Sequence, residues 1–83
     1  MKMICVTFRS ITPAQRSQRV LQGRGIPSSL QRTPRWMQDR GCGYCLRLRP
    51  EQLELALPLL KESGIAYQKI YLEEDGLARE LTV

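Results

Sequence analysis

Leu21-Gln22-Gly23-Arg24-Gly25-Ile26 and Leu60-Lys61-Glu62-Ser63-Gly64-Ile65 repeat one pattern, Leu-x-x-x-Gly-Ile, at a spacing of 39 residues. Each copy closes an amphipathic stretch. Ahead of the first, Ala14, Ser17, Val20 and Leu21 fall on one helical face, Pro13 suits the first helical position, and Ser10 and Thr12 are N-cap candidates. Ahead of the second, Leu53, Ala56, Leu57 and Leu60 have the i, i+3, i+4, i+7 spacing of a helix opened by Pro50-Glu51-Gln52. Pro58 has no N–H to donate, so this second helix is expected either to kink near Glu54 or to start late. A glycine just past the last apolar position stops a helix. Both copies therefore read as helix exits into strands, and the chain as two βαβ halves.

The strands follow from period-two alternation. Ile4, Val6 and Phe8 alternate with Met3, Cys5 and Thr7, while Tyr44, Leu46 and Leu48 alternate with Cys45, Arg47 and Arg49. Residues 26–32 form a weaker strand candidate ended by Thr33-Pro34, and residues 34–42, bearing Trp36 and Gly41, read as a long loop. Ala66 to Leu72 reads as the last strand, after which Glu73-Glu74-Asp75-Gly76 begins a charged tail expected to fray. The order βαββαβ predicts an α+β, ferredoxin-like split arrangement: a four-stranded antiparallel sheet with both helices on one face and the first and third strands side by side at its centre. One domain is expected over residues 1–72, with residues 73–83 as the tail. Cys5, Thr7, Cys45, Arg47 and Arg49 then line the helix-free face.

Eighty-three residues suffice for a single core. No run approaches the roughly 20 apolar residues of a membrane span, and MKMICVTF lacks the apolar core and cleavage site of a secretory signal, so a cytoplasmic protein without membrane attachment is expected. Three cysteines and no histidine argue against a closed disulfide framework and against a metal site, and no cofactor is expected. From Lys2 to Arg49, ten Lys and Arg residues face the single acid Asp39, a balance of +9, whereas three bases and seven acids follow, a balance of −4. Nine of those ten bases are arginines, whose planar fork suits oxyanions. An anionic partner or a solvated basic face both fit.

The chemistry concentrates in Asp39-Arg40-Gly41-Cys42-Gly43-Tyr44-Cys45. Flanking glycines leave the sulfur of Cys42 uncrowded, which makes it the first candidate for a reactive residue, with Cys45 second. Nearby guanidinium groups favour a thiolate, and Arg35, Arg47 and Arg49 are the candidates to supply them. Cys42-Gly43-Tyr44-Cys45 has the C-x-x-C form of thioredoxin-like enzymes. There, however, the motif opens a helix after the first strand, whereas here it runs into a strand from mid-chain. Cys5, in a half-buried strand, is most simply a small packing residue.

Taken together, Thr7-Phe8-Arg9-Ser10, Ala14, Leu21, Gly25-Ile26, Thr33-Pro34-Arg35, Cys42-Gly43, Leu46-Arg47 and Gly64-Ile65 resemble a family of small bacterial selenium/sulfur carrier-like domains, over roughly residues 2–72. The resemblance implies a ferredoxin-like fold and a cysteine, matched by Cys42, that bears sulfur or selenium as a persulfide or selenosulfide. Arg47 corresponds to the family's arginine after that cysteine. Cys45 stands where a small residue is more usual, and could resolve a persulfide on Cys42 into a disulfide. A carrier that meets donor and acceptor proteins is the leading expectation, rather than an enzyme. The alternative is a non-enzymatic binding or assembly module that uses its open basic sheet face for a partner protein, for a second copy of itself, or less favourably for RNA, since paired aromatics for base stacking are missing there.

Overall fold

The structure, a computed structural model, describes residues 2–33 and 43–81. Along the chain run β1 (Lys2–Phe8), α1 (Ile11–Gly23), β2 (Ser29–Arg32), β3 (Tyr44–Leu48), a 3-10 turn (Pro50–Gln52), α2 (Leu53–Glu62), β4 (Ile70–Glu74) and β5 (Leu77–Leu81). The architecture is α+β, but the expected four-stranded ferredoxin-like sheet is corrected. The sheet has five strands in the order β2-β3-β1-β4-β5, and each neighbouring pair is antiparallel. Its fifth strand comes from the segment read as a fraying tail. Asp75 and Gly76 both have positive φ, 52° and 81°, the backbone of a two-residue type I′ hairpin turn, and Glu74 pairs with Leu77 directly across it. The Asp-Gly signal was present in the sequence, outweighed by the acids around it.

The repeated Leu-x-x-x-Gly-Ile pattern is a helix stop used twice. The N–H of Ile26 donates to the carbonyl of Leu21 at 2.9 Å, and that of Ile65 to Leu60 at 3.0 Å. Between them Gly25 and Gly64 adopt φ of 74° and 69°. These are Schellman closures, in which the residue beyond the glycine folds back and buries its side chain against the last helical turn. Leu21, Ile26, Leu60 and Ile65 accordingly all join the core. Ser10 is the N-cap of α1, although its side chain makes no capping hydrogen bond. The second helix does start late: residues 50–52 form the 3-10 turn and the α-helix begins at Leu53. Pro58 lies inside it, and both Pro58 and Glu54 are on its exposed side, so the hydrogen bond that proline cannot make is lost at the surface and not in the core.

The core lies between the helices and one sheet face. Ile4, Val6, Phe8, Leu46, Leu48 and Ile70 from the strands meet Ala14 and Leu21 of α1 and Ala56 and Leu60 of α2. The register aligns the inward residues of β1 and β3 as Ile4↔Leu48, Val6↔Leu46 and Phe8↔Tyr44, so the expected adjacency of the first and third strands holds. Two boundaries differ from the expected ones: β2 begins at Ser29 rather than 26, and β4 at Ile70 rather than 66. The second shift has a local cause. Opposite Thr7, the N–H of Gln68 donates to its carbonyl (2.8 Å), and its own N–H donates to the carbonyl of Lys69 (2.8 Å). Two residues thus face one, the count of a β-bulge. The Thr7 hydroxyl completes the junction by accepting from the Lys69 N–H at 3.0 Å and donating to the Lys69 carbonyl at 3.2 Å. Among the described residues no helix is long and apolar enough to cross a membrane.

Candidate thiol site

The strand pleat sends Met3, Cys5 and Thr7 of β1, and Cys45 and Arg47 of β3, to the face away from the helices. There the register is Cys5↔Arg47 and Thr7↔Cys45, which makes Cys5 and Cys45 diagonal neighbours. Both are free thiols, 0% and 1% exposed, and they form a small cluster of their own against which Tyr71 and Ala78 pack. The face expected to be open is therefore closed over its centre. Tyr71 comes from β4, opposite Cys5, and Ala78 from β5, so the unanticipated hairpin helps to cover the thiols.

The two thiols pack in one buried cluster and dominate each other's proton affinity. Cys5 is held far above the ordinary thiol range, first because its S–H donates to Cys45, then by burial and by the negative potential of Cys45 and Glu73; Arg47 opposes. Cys45 is pushed below that range, chiefly by the hydrogen bond from Cys5, with Arg47 and the Thr33 hydroxyl helping and burial and Glu73 opposing. The pair therefore gives up its two protons in well-separated steps.

Arg47 sits beside the thiols as expected, but not as an uncompensated charge. Its Nε lies 3.5 Å from Oε1 of Glu73, with both side chains about a quarter to a third exposed (32% and 26%). Lys2 meets Glu74 at 3.5 Å and Lys69 meets Glu80 at 3.6 Å. Lys2 and Arg47 of the basic half thus meet acids of the acidic half on adjacent strands, while Lys69–Glu80 is a pair within the acidic half. Such half-exposed pairs are each worth no more than about 1 kcal/mol, and they balance the charges of Lys2 and Arg47 on the sheet.

Arg49 is exposed just beyond β3, at the end of that strand remote from Gly43. Arg35, Trp36, Gly41, Cys42 and the expected loop over 34–42 lie outside the described residues. The two residues that bracket them are tightly placed. The Thr33 N–H donates to the Gly43 carbonyl at 3.0 Å, and a Cβ on Gly43 would stand 3.2 Å from the Phe8 carbonyl oxygen and 3.3 Å from Thr33 Oγ1. Gly43 is thus set by close packing against the end of β1, a sufficient reason for glycine directly after Cys42.

Sequence reading missed the partnership of Cys5 with Cys45 and the presence of Glu73 beside them. The signals were available: both cysteines were placed on one face of adjacent strands, and Asp75-Gly76 marked a hairpin whose first strand, β4, extends through Glu73. Among the described residues no group of three or more His, Cys, Asp or Glu side chains is placed to hold a metal ion.

No curated protein matches the chain. The family model described as "Putative Se/S carrier protein-like" matches residues 3–72, a span that contains β1 to β3, both helices and the start of β4, together with the thiol pair and the Cys42-Gly43 dipeptide. On that match, this chain belongs to the Se/S carrier protein-like family.

Proposed function

We propose that this chain carries sulfur or selenium on Cys42. In the sulfur case the Cys42 thiolate attacks the outer sulfur of a donor persulfide, the donor thiolate leaves, and Cys42 retains the sulfur as a persulfide until an acceptor's nucleophile removes it. Selenium would be held in the same way as a selenosulfide. The observation that carries this reading is the sealing of the other two cysteines. A carrier has to present its cargo to separate donor and acceptor proteins, and Cys5 and Cys45 are buried against each other, which leaves Cys42 as the thiol for exchange. Family membership over residues 3–72 supports the same assignment.

Within this reading Arg35 and Arg47 stabilise the anionic perthiolate. Arg49, about 20 Å along the strand direction from Gly43 at roughly 3.3 Å per residue, serves encounter with an anionic partner surface. The ion pairs of Arg47 and Lys2 with strand acids count against the RNA-binding alternative.

Intact mass after exposure to a persulfide donor tests the proposal. Wild type and Cys45→Ser are expected to gain one reductant-labile sulfur, and Cys42→Ser none. If neither wild type nor Cys45→Ser gains sulfur, the carrier reading fails.

A further inference from the structure

The carrier reading leaves Cys5 and Cys45 without a task. A cysteine packed alone inside a sheet is an inert small apolar residue, but two packed in one buried cluster are a potential two-electron couple. The register puts them on adjacent strands and on the same face, and neither is engaged in a disulfide. Their burial decides which reagents can reach them. At 0% and 1% exposure they are closed to bulky disulfides, whereas a water-sized oxidant enters through small fluctuations of the sheet.

We propose that Cys5 and Cys45 form an oxidation site of their own, in which hydrogen peroxide oxidises Cys45 and Cys5 then closes an internal disulfide. In the first step the Cys45 thiolate attacks one peroxide oxygen, the O–O bond breaks, and Cys45 becomes a sulfenic acid as hydroxide leaves. In the second step the sulfur of Cys5 attacks the sulfur of Cys45 and the S–O bond breaks. The proton of Cys5 and the departing hydroxide form water, and the S–S bond is made. Two thiols lose two electrons and one peroxide becomes two waters. The polarisation of the pair suits these roles, since the surroundings lower the proton affinity of Cys45 and raise that of Cys5. Arg47 from β3 and Glu73 from β4 face the pair, with the Thr33 hydroxyl acting on Cys45.

Diagonal partners across antiparallel strands stand roughly 7–8 Å apart at Cα, whereas a relaxed disulfide has its Cα atoms within about 6.8 Å. Closing the bond therefore draws β1 and β3 together and leaves a strained, readily reduced link. The pair works as a reversible trap: it stops Cys45 at the first oxidation step, before the sulfinic acid that thiol reductants cannot repair. Cys42 takes no part, so the inference goes beyond sulfur carriage and stands without it.

The test uses full-length Cys42→Ser, which leaves only this pair. After brief exposure to a small excess of peroxide, the chain is denatured in an alkylating agent and weighed. The expected product has lost two hydrogens, takes up no alkyl group, yields tryptic peptides 3–9 and 41–47 joined to each other, and recovers both thiols on treatment with dithiothreitol. Adding Cys5→Ala should instead drive Cys45 to sulfinic acid. Should that variant fail to fold, fragmentation of the joined peptides from wild type still separates a bond at Cys45 from one at Cys42. Two alkylatable thiols after a peroxide dose that oxidises free cysteine would overturn the proposal. So would sulfinic acid on Cys45 beside an unmodified Cys5.

Discussion

Three glycines near the two helix exits provide a test of the fold in which one substitution has opposite effects. Gly25 and Gly64 have φ of 74° and 69°, and a Cβ built on either meets nothing within 4 Å. Alanine there suffers only from the backbone. The left-handed conformation costs a Cβ-bearing residue about 1–2 kcal/mol, and the loss of unfolded-chain freedom returns about 0.4–1 kcal/mol, so each substitution should destabilise by about 1 kcal/mol. Gly23 is the last residue of α1, also with nothing within 4 Å, and its φ is not positive. Gly23→Ala keeps the entropic gain without the strain and should stabilise by about 0.5–1 kcal/mol. For a domain of this size 1 kcal/mol moves Tm by roughly 4–8 °C, well within reach of circular dichroism melts backed by urea titrations. The two exits are separate, so Gly25→Ala and Gly64→Ala should add. The reasoning is refuted if Gly64→Ala is neutral or stabilising, or if Gly23→Ala destabilises as much as its neighbour two residues on.

Gly43→Ala should cost about 1–3 kcal/mol, because its Cβ would press on the Phe8 carbonyl at 3.2 Å and a β1 backbone oxygen cannot swing aside; an unchanged urea midpoint would contradict the close packing. The thiol pair should shape stability at alkaline pH. From the lowered titration of Cys45 up to the ordinary thiol value of 9.0, the unfolded chain holds a proton the folded one has released, so stability rises; above 9.0 the folded chain retains the Cys5 proton the unfolded one has lost, so stability falls. The stability difference between wild type and Cys5→Val should thus peak near pH 9, and a flat difference would show that the thiols are not coupled. Ending the chain after Glu74 removes β5, including Ala78 beside the thiols, and should speed alkylation of Cys45 under native conditions at least tenfold; equal rates would mean that the hairpin does not cover the site.

Much of the scaffold was legible because it rests on local pattern. The alternation around Ile4 and Leu46, the helical face through Ala14 and Leu21, and the repeated Leu-x-x-x-Gly-Ile are short-range signals, and each corresponds to a described element. The fifth strand escaped because Glu73, Glu74 and Glu80 make the segment look like solvated tail, and only pairing with Lys2, Arg47 and Lys69 makes those charges compatible with a sheet. The late start of β4 was not readable either, since it depends on Thr7, some sixty residues away, taking both hydrogen-bonding groups of Lys69. At the site, period two placed Cys5 and Cys45 on one face but said nothing of register. A shift of two residues would preserve every inward side chain and still separate the sulfurs.

With two strands on either side, β1 is the middle of the five, and its Cys5 occupies the part of the molecule that opens last. A reagent too large to slip into the sheet meets this thiol only when the whole domain comes apart. The rate at which Cys5 is labelled is therefore a built-in clock for global unfolding, needing no added dye or engineered probe, and applicable wherever the labelled mass can be read.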